Sequence, residues 1–321
     1  MSLLVNVDNF VRAETARMLT DIQRDAGGVN RLRHSREPAP IDDQTVIRLN
    51  RDTLYSFTVV DLTTPAELVL PPTDGRYLSA MIVNEDHHVP QVLHGPGSFR
   101  LTAEEAGSAH VLVAVRVLVD PNDPADLAQA AAIQDGITLT ASSNEPFQGP
   151  DYDPTSLDET RAALLSLARN LTGFDRMFGS ADEVEPVRHL IGTAAGWGGL
   201  PTSEAAYLGV DPKVGPGSYE LTFRDVPVDA FWSVSVYNAA GFFEPNASGR
   251  YTLNSVTAVR DADGSVTVRF VPDDSVTGPN TIPVPGEGWN YLVRLYRPRP
   301  EVLDGSWTTP SITKSVAGQP D

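Results

Sequence analysis

The sequence contains no cysteine, and only two of its 24 basic residues, Lys213 and Lys314, are lysines. Without cysteine the chain has no disulfide, no thiolate metal site and no cysteine nucleophile. The 42 acidic residues give a formal net charge of -18 at pH 7. Such a charge repels nucleic-acid phosphates and anionic membrane surfaces. We therefore expect neither nucleic acid nor a membrane as a partner.

The chain also lacks any uncharged apolar run of about 18 residues, the length that a membrane-spanning helix needs. Residues 1–10 do not combine a basic segment with an apolar core, the pattern of an export signal. We therefore predict a soluble protein of the cytoplasm. The length of 321 residues indicates two domains, and the 25 glycines and 26 prolines indicate many short β elements.

Local patterns predict an opening helix followed by β structure. Asn6 is expected to cap this helix, and Gly27 with Gly28 to end it. Alternating β-branched and aromatic residues predict strands, and 3.6-residue periodicity predicts further helices. The predicted strands cover residues 45–48, 55–61, 66–70, 77–84 and 110–119, and the helices cover 124–135 and a segment from about 155. A second β-rich region begins near Tyr219.

Part of the first β region is repeated in the second. Residues 77–84 align with 231–238, and in each half an arginine, Arg116 or Arg297, follows shortly before a proline. This order predicts two similar units. We therefore expect a mainly β fold with helical insertions, made of two sandwich or jelly-roll-like antiparallel β units joined by helices. The predicted boundaries are 1–150 for an N-terminal domain, 151–210 for a helical connector and 211–321 for a C-terminal domain.

Five segments together resemble a known bacterial family. They are residues 50–56, 134–136, 196–201, 231–238 and 288–291. The family pairs an N-terminal domain of unknown function 1254 with a C-terminal domain of unknown function 1214. The resemblance implies a mostly β architecture with two sandwich or jelly-roll units. It implies no particular activity and assigns no catalytic residue.

The densest group of polar side chains is Asn50, Arg51, Asp52 and Tyr55. In a turn these groups could converge, with Asp52 as a general base, Arg51 as an anion anchor and Tyr55 as a hydrogen-bond donor. Asn50 would then help to bind the ligand. The alternative is architectural: Asn50 and Asp52 would cap a turn while Arg51 forms a buried structural pair.

A second polar group gathers Asn84, Asp86, His87 and His88 at the end of a predicted strand, with His94 close behind. His87 is our second candidate for a catalytic base, and the others are candidate binding residues. Two histidines and a carboxylate could bind Zn or Fe. Neighbouring histidines on a strand diverge, however, and no helical His-x-x-x-His pair is present, so we assign no metal ligand and the metal content stays open. The identity of any cofactor stays open. The alternative is a polar loop with incidental histidines.

Aromatic residues near an amide complete the candidate binding set: Trp232, Asn238 and Trp289. They could wall a pocket for a sugar-like or apolar ligand, although alternating aromatics in a sandwich usually belong to the core. Our leading hypothesis is a small-molecule-binding protein that acts as a hydrolase or proton-transfer enzyme on a small carbonyl compound. The rival is a non-catalytic module that either binds a sugar-like or apolar ligand or packs into a homo-oligomer.

Overall fold

The computed structural model describes residues 2–44, 47–171 and 173–315. These residues fall into two compact units, each assembled from interleaved segments. Unit 1 takes the described residues within 1–36, 54–118 and 128–202, and unit 2 takes those within 37–53, 119–127 and 203–321. The boundaries predicted from sequence divide the chain into consecutive stretches. The structure instead assigns residues 37–53 and 119–127 to the same unit as the C-terminal third.

Unit 1 contains most of the helices of the described chain together with two sheets. Its strands are β1 (Arg33–His34), β2 (Thr53–Asp61, whose first residue belongs to unit 2), β3 (Ala66–Leu70), β4 (Leu78–Asn84), β5 (Gln91–His94), β6 (Gly97–Leu101), β7 (His110–Leu118) and β8 (Thr138–Ala141). Its helices are α1 (Phe10–Ala26), α2 (Ala103–Ala106), α3 (Pro124–Asp135, whose first turn belongs to unit 2), α4 (Pro154–Leu167) and α5 (Pro186–Gly196).

The larger sheet of unit 1 has the order β1-β2-β7-β4-β5, and the smaller has the order β6-β3-β8. Strand β4 pairs antiparallel with both β7 and β5. Every residue of β4 is buried, as is nearly all of β7. The near-continuous apolar sequences of these two strands therefore place them at the centre of the sheet, because both of their faces are covered.

The helix ends follow local capping rules. Helix α1 ends at Gly27, which adopts a left-handed conformation with φ of 77°. Asn6 was expected to cap α1, but the helix begins three residues further on, since the Asn6 side chain instead accepts the backbone N–H of Asp8. Helix α4 begins as predicted, with Asp153 accepting the N–H of Ser156. Helix α5 was not predicted.

Unit 2 is built from two four-stranded sheets in its described residues. Its strands are β9 (Ala205–Val210), β10 (Tyr219–Phe223), β11 (Trp232–Tyr237), β12 (Thr252–Asn254), β13 (Val266–Val271), β14 (Thr281–Pro283), β15 (Asn290–Tyr296) and β16 (Thr313–Lys314), followed after β15 by the short helix α6 (Pro300–Leu303). The sheet orders are β12-β11-β15-β9 and β14-β13-β10-β16. Pairing is antiparallel apart from β13 with β14.

One hydrophobic core joins the inner faces of these two sheets. Trp232 and Val234 of β11 meet Phe223 and Phe270 of the other sheet in this core. Because side chains alternate along a strand, Ser233, Ser235 and Tyr237 project from the opposite face of β11. That outer face positions the candidate site of unit 2.

The structure confirms the predicted fold class, which is mainly β with helices and sandwich-like units. A strand was predicted over residues 45–48, but Ile47 and Arg48 form a turn instead. Thr45 and Val46 lie outside the described residues. No helix within the described ranges has the length and apolar content that crossing a membrane requires.

Candidate functional site

The predicted polar motif begins with a turn in unit 2 that Asn50 stabilises. The Asn50 side-chain oxygen accepts the backbone N–H of Asp52 at 2.9 Å. Its amide nitrogen donates to Thr53 at 3.0 Å and to the hydroxyl of Tyr296 at 3.2 Å. Asn50 thus joins the turn to strand β15. These bonds occupy the side chain as a structural link.

The Asp52 carboxylate is completely buried, with 0% exposure. It accepts hydrogen bonds from Ser233 at 2.6 Å and from Thr252 at 2.8 Å. One oxygen also lies 3.9 Å from the Arg294 guanidinium. Burial raises the pKa of the Asp52 carboxyl, while Arg294 and the two hydroxyls oppose that shift. Both carboxylate oxygens therefore have partners inside the protein.

Arg294 completes this buried network and is 2% exposed. It donates to Ser235 at 2.7 Å and to the Tyr237 hydroxyl at 2.8 Å. It also donates to the carbonyl oxygens of Arg48 and Leu49, at 2.8 and 3.0 Å. Three strands, β11, β12 and β15, are therefore joined to the polar turn through one enclosed ion pair, and losing either of its charges is costly.

Arg51 lies in the same turn but points elsewhere. Its guanidinium carbon is 5.4 Å from the centre of the Tyr251 ring, and it donates to the carbonyl of Ala39. Its Nε has no hydrogen-bond partner among the described residues. Burial lowers the pKa of Arg51. The buried partner of Asp52 is thus Arg294 rather than the neighbouring Arg51.

Tyr251 and Arg250 line a cleft of about 200 Å³ in unit 2. Its other walls combine prolines and valines with carboxylates and an amide: Val236, Glu244, Pro245, Asn246, Pro272, Asp273, Asp274, Pro283, Val284 and Pro285. The Arg51 guanidinium lies over the ring of Tyr251, which is one of the residues that line this cleft.

The predicted aromatic wall does not face this cleft. Trp232 is 5% and Trp289 is 1% exposed, and both belong to the core between the sheets of unit 2. The Asn238 side chain donates to Glu244 at 2.9 Å and accepts the N–H groups of Ala240 and Phe242. The two tryptophans thus act as packing residues here, and Asn238 shapes a loop.

In unit 1, His87 is completely buried and its hydrogen bonds assign its tautomer. Its Nε2 accepts the backbone N–H of Gly198 at 2.9 Å, so Nε2 carries no proton. The Thr193 hydroxyl donates to the carbonyl of His189 at 2.9 Å and must therefore accept from Nδ1–H of His87, at 2.8 Å. Burial, reinforced by His189 and His88, holds the pKa of His87 well below its ordinary value of 6.5. His87 is therefore a neutral imidazole that connects Thr193 to Gly198.

The rest of the predicted histidine group also shapes the β4–β5 loop. The Asn84 oxygen accepts the N–H groups of Asp86 and His88, both at 3.0 Å. Asp86 forms an ion pair with Arg12 at 2.5 Å, which lowers the pKa of that carboxyl. His88 stacks on His189 with ring centres 4.9 Å apart. Among the described residues, no three His, Asp or Glu side chains are grouped so as to hold a metal ion.

Five side chains on one face of the larger sheet of unit 1 form what we call the Arg116 row: Tyr55, Tyr77, Ser79, His94 and Arg116. Ser79 lies directly opposite Arg116 on one side and His94 on the other, and paired residues project to the same face. The Arg116 guanidinium lies 5.4 Å from the centre of the Tyr55 ring. The Tyr77 hydroxyl donates to Ser79 at 3.0 Å, and its ring contacts that of His94.

The Arg116 row includes one predicted site residue, Tyr55, and is linked to another. Arg116 donates to the carbonyl of Gly198 at 3.1 Å, and the N–H of Gly198 donates to His87. Tyr55 and His87 are thus connected within unit 1, whereas Asn50, Arg51 and Asp52 belong to unit 2.

Reasoning from sequence missed Ser79, Arg116 and Arg294 as site residues, although the repeat contained a signal for them. Aligning 77–84 with 231–238 matches Ser79 with Ser233, and each serine pairs across the sheet with a buried arginine, Arg116 or Arg294. The repeat was read with Arg297 as the second arginine. That choice is corrected here, because Arg297 follows the end of β15, while Arg294 lies within it.

The fold and the sites described above are those of a mainly β protein with two sandwich-like units. Residues 29–141 match the model described as "Protein of unknown function (DUF1254)", and residues 211–300 match that described as "Protein of unknown function (DUF1214)". The chain belongs to the two-domain family that pairs these domains, which confirms the resemblance noted from its motifs. No curated protein matches the chain.

Two solved structures share the fold. The VPA0106 protein from Vibrio parahaemolyticus aligns with a TM-score of 0.73 at 17% identity, over 97% of this chain and 98% of that one. An uncharacterized protein from Burkholderia cenocepacia aligns with a TM-score of 0.52 at 12% identity, over 94% of this chain and 87% of that one. At these identities the similarity establishes the fold alone.

Proposed function

We propose that the protein binds a small carboxylate or other carbonyl compound at the Arg116 row and promotes its hydrolysis or a proton transfer on it. The observation that supports this most directly is the cross-strand alignment of Arg116, Ser79 and His94. Strand spacing separates the Cα atoms of Arg116 and His94 by roughly 10 Å. That span suits a ligand held at one end by a cation and faced at the other by an imidazole.

Each role follows from the chemistry of the side chain. Arg116 is 7% exposed, and a guanidinium in such surroundings favours a carboxylate or a developing oxyanion. The hydroxyls of Tyr55 and Tyr77 are hydrogen-bond donors for a carbonyl oxygen. His94 retains partial solvent exposure, and its imidazole can serve as a general acid or base for a ligand in the row.

Asp52 and His87 contribute to this proposal as structural groups. The oxygens of Asp52 and the nitrogens of His87 are engaged by protein donors and acceptors, and neither side chain is exposed. A general base must reach the proton that it removes. The geometry therefore favours His94 over both as the base.

The test is a binding and turnover screen with small carboxylates, esters and amides, using wild type, Arg116→Met and His94→Gln. A ligand present at 100 times its dissociation constant should stabilise wild type by about 2.7 kcal/mol. We expect Arg116→Met to lose this stabilisation, and His94→Gln to keep binding while losing turnover. Arg100→Met is the matched control, since Arg100 is an exposed arginine on β6. Equal binding to wild type and Arg116→Met would refute the proposal.

A second candidate function is non-catalytic binding of a sugar-like ligand in the cleft of unit 2. Its volume of about 200 Å³ and its mixture of Tyr251, prolines, carboxylates and Arg250 favour a small hydroxylated ligand. A monosaccharide screen by calorimetry would test this function, with binding lost in Arg250→Met and kept in Arg116→Met. Equal affinity in Arg250→Met and wild type would exclude the cleft.

The charge and surface of the chain support two further parts of the proposal. The net charge of -18 favours a soluble, cytoplasmic protein without nucleic-acid or membrane partners. Several apolar side chains on and beside α4 and α5 are exposed, which favours a homo-oligomer. They are Leu165, Leu167, Leu171 and Val187. Cell fractionation and light scattering test these parts; a membrane-bound fraction or a monomer at every concentration would contradict them.

A further inference from the structure

We propose that His87 is a positioning residue that holds Arg116 in place through Gly198, and that protonation of His87 releases this link and weakens anion binding. This inference rests on the proposed function for its consequence, but the link itself consists of contacts described within unit 1. It adds acid sensitivity to the Arg116 row. No residue of the row needs to change its own charge for this effect.

The link has three consecutive hydrogen bonds. Thr193 accepts from Nδ1 of His87 at 2.8 Å, Nε2 of His87 accepts from the N–H of Gly198 at 2.9 Å, and the carbonyl of Gly198 accepts from Arg116 at 3.1 Å. Gly198 adopts a positive φ of 79°, in a segment that follows the end of α5. Its backbone is therefore held on one side by an imidazole and on the other by a guanidinium.

Protonation is incompatible with this link because the Gly198 amide is a donor. A proton on Nε2 would place two donors face to face, so the His87–Gly198 bond must break when the ring becomes an imidazolium. Burial removes the solvent that would otherwise stabilise the cation, and the pKa of His87 is lowered accordingly. The neutral ring is thus the form that holds Gly198.

Neighbouring histidines act in the same direction. His189 stacks on His87 with ring centres 5.3 Å apart and faces carbonyl oxygens with both nitrogens, those of Met177 at 2.9 Å and Asp86 at 3.1 Å. The proximity of His189 also lowers the pKa of His87. The Asp86 carboxylate is already paired with Arg12, which also lies 3.7 Å from Glu85.

His88 and Trp197 complete the surroundings of His87. His88 also lowers the pKa of His87 and stacks on His189. The Trp197 ring stacks on His87 at 5.3 Å, and the Phe178 ring meets it edge-on at 5.9 Å. None of these rings supplies a negative charge. The neighbours of His87 named here therefore favour its neutral imidazole.

The experiment separates the effect of His87 from that of His94, the histidine that lies in the Arg116 row itself. We compare His94→Gln with the double variant His87→Gln/His94→Gln, because glutamine keeps an acceptor for Gly198 but does not titrate. Sulfate is the probe, and its affinity is measured from about pH 8 down to the lowest pH at which the protein stays folded, because the pKa of His87 lies well below its ordinary value. NMR signals of the Gly198 amide and the Arg116 side chain are followed over the same range.

We expect the Gly198 and Arg116 signals of His94→Gln to move on acidification, and its sulfate affinity to fall about tenfold, the loss of one hydrogen bond to a charged group. In the double variant both should stay constant. The inference would be overturned if the NMR signals and the sulfate affinity changed equally with pH in His94→Gln and in the double variant. A Gly198 signal of His94→Gln that does not depend on pH would also overturn it.

Two outcomes distinguish this inference from the proposed function. If the Gly198 and Arg116 signals respond as expected but no sulfate or carboxylate binds, the positioning link stands and the proposed function fails. If a ligand binds through Arg116 without this pH response, the proposed function stands and the link fails. Should His87→Gln not fold, the ring-nitrogen shifts of wild type report the tautomer directly; a protonated Nε2 at neutral pH would refute the link.

Discussion

Replacing Asp52 by asparagine is the most direct perturbation of the buried network in unit 2. The variant keeps the shape of the side chain but removes the negative charge 3.9 Å from Arg294, a side chain that is 2% exposed. Removing one member of a buried ion pair typically costs 3 to 5 kcal/mol, since the other charge remains buried. The hydrogen bonds from Ser233 and Thr252 also lose the strength that a charged acceptor gives them.

We therefore expect Asp52→Asn to lower the free energy of unfolding by about 3 to 4 kcal/mol. With a denaturant slope of about 2 kcal/mol per M, this corresponds to a decrease of about 1.5 to 2 M in the urea midpoint. The assay is tryptophan fluorescence in a Trp197→Phe background. Of the four tryptophans, the remaining three, Trp232, Trp289 and Trp307, all belong to unit 2, so the signal reports that unit.

Asp225→Asn is the control, because Asp225 is exposed in the same unit and its replacement should change stability by less than about 0.5 kcal/mol. Asp52→Asn combined with Arg294→Met should cost at least about 1 kcal/mol less than the sum of the two single changes, since the residues are coupled. A loss below about 1 kcal/mol for Asp52→Asn, or strict additivity, would show that the pair is not the fastening we describe.

Three further predictions concern the two units. Acidification from about pH 7 to about pH 5 should destabilise the protein, because the pKa of His87 is lowered in the folded state, whereas His87 in the unfolded chain takes up a proton below the ordinary value of 6.5. The free energy of unfolding should fall by up to about 1.4 kcal/mol per pH unit. Urea unfolding at several pH values checks this, and an equal dependence of stability on pH in His87→Gln would contradict it. Gly192→Ala should lower the stability by about 1 to 3 kcal/mol, because a Cβ at this position would lie 2.7 Å from the Cβ of Met177. Gly196→Ala is the control and should be tolerated, since its Cβ would lie 3.8 Å from the ring of Phe178. Thermal melting compares the two variants, and equal melting temperatures would refute this prediction. Phe270→Ala should lower the free energy of unfolding in urea by about 3 to 5 kcal/mol, because it leaves a cavity in the core of unit 2. Val276→Ala is the control and should change the stability very little, since Val276 is exposed. A loss below about 1 kcal/mol for Phe270→Ala would contradict this packing.

Local patterns predicted much of the secondary structure correctly. Strands β3 and β4 and helix α3 were predicted within one residue at each end, because their periodicity and turn residues agree with the final fold. Helix α5 was missed, although Glu185 accepts the N–H of Arg188 and Pro186 begins the helix. The single proline at its start and the glycines at 192 and 196 hid its periodicity.

The candidate site was harder to predict than the fold, because the polar motif contains residues with different surroundings. Asp52 and Tyr55 are three positions apart in sequence, yet Asp52 binds Ser233 and Thr252 whereas Tyr55 contacts Arg116. Sequence spacing shows which groups are near one another along the chain. It does not show which face of a sheet or which unit encloses each of them.

The amino-acid sequence alone determined the class of fold, the family and the repeated strand with its serine, because these depend on local preferences and on motifs that are read along the chain. Tertiary structure decided which arginine each serine faces, that Asp52 and His87 are enclosed, and that His94 joins Arg116 on one face. The physical reason is that burial, charge pairing and cross-strand register arise from residues that are distant in sequence. Only the folded chain brings such residues within hydrogen-bonding distance.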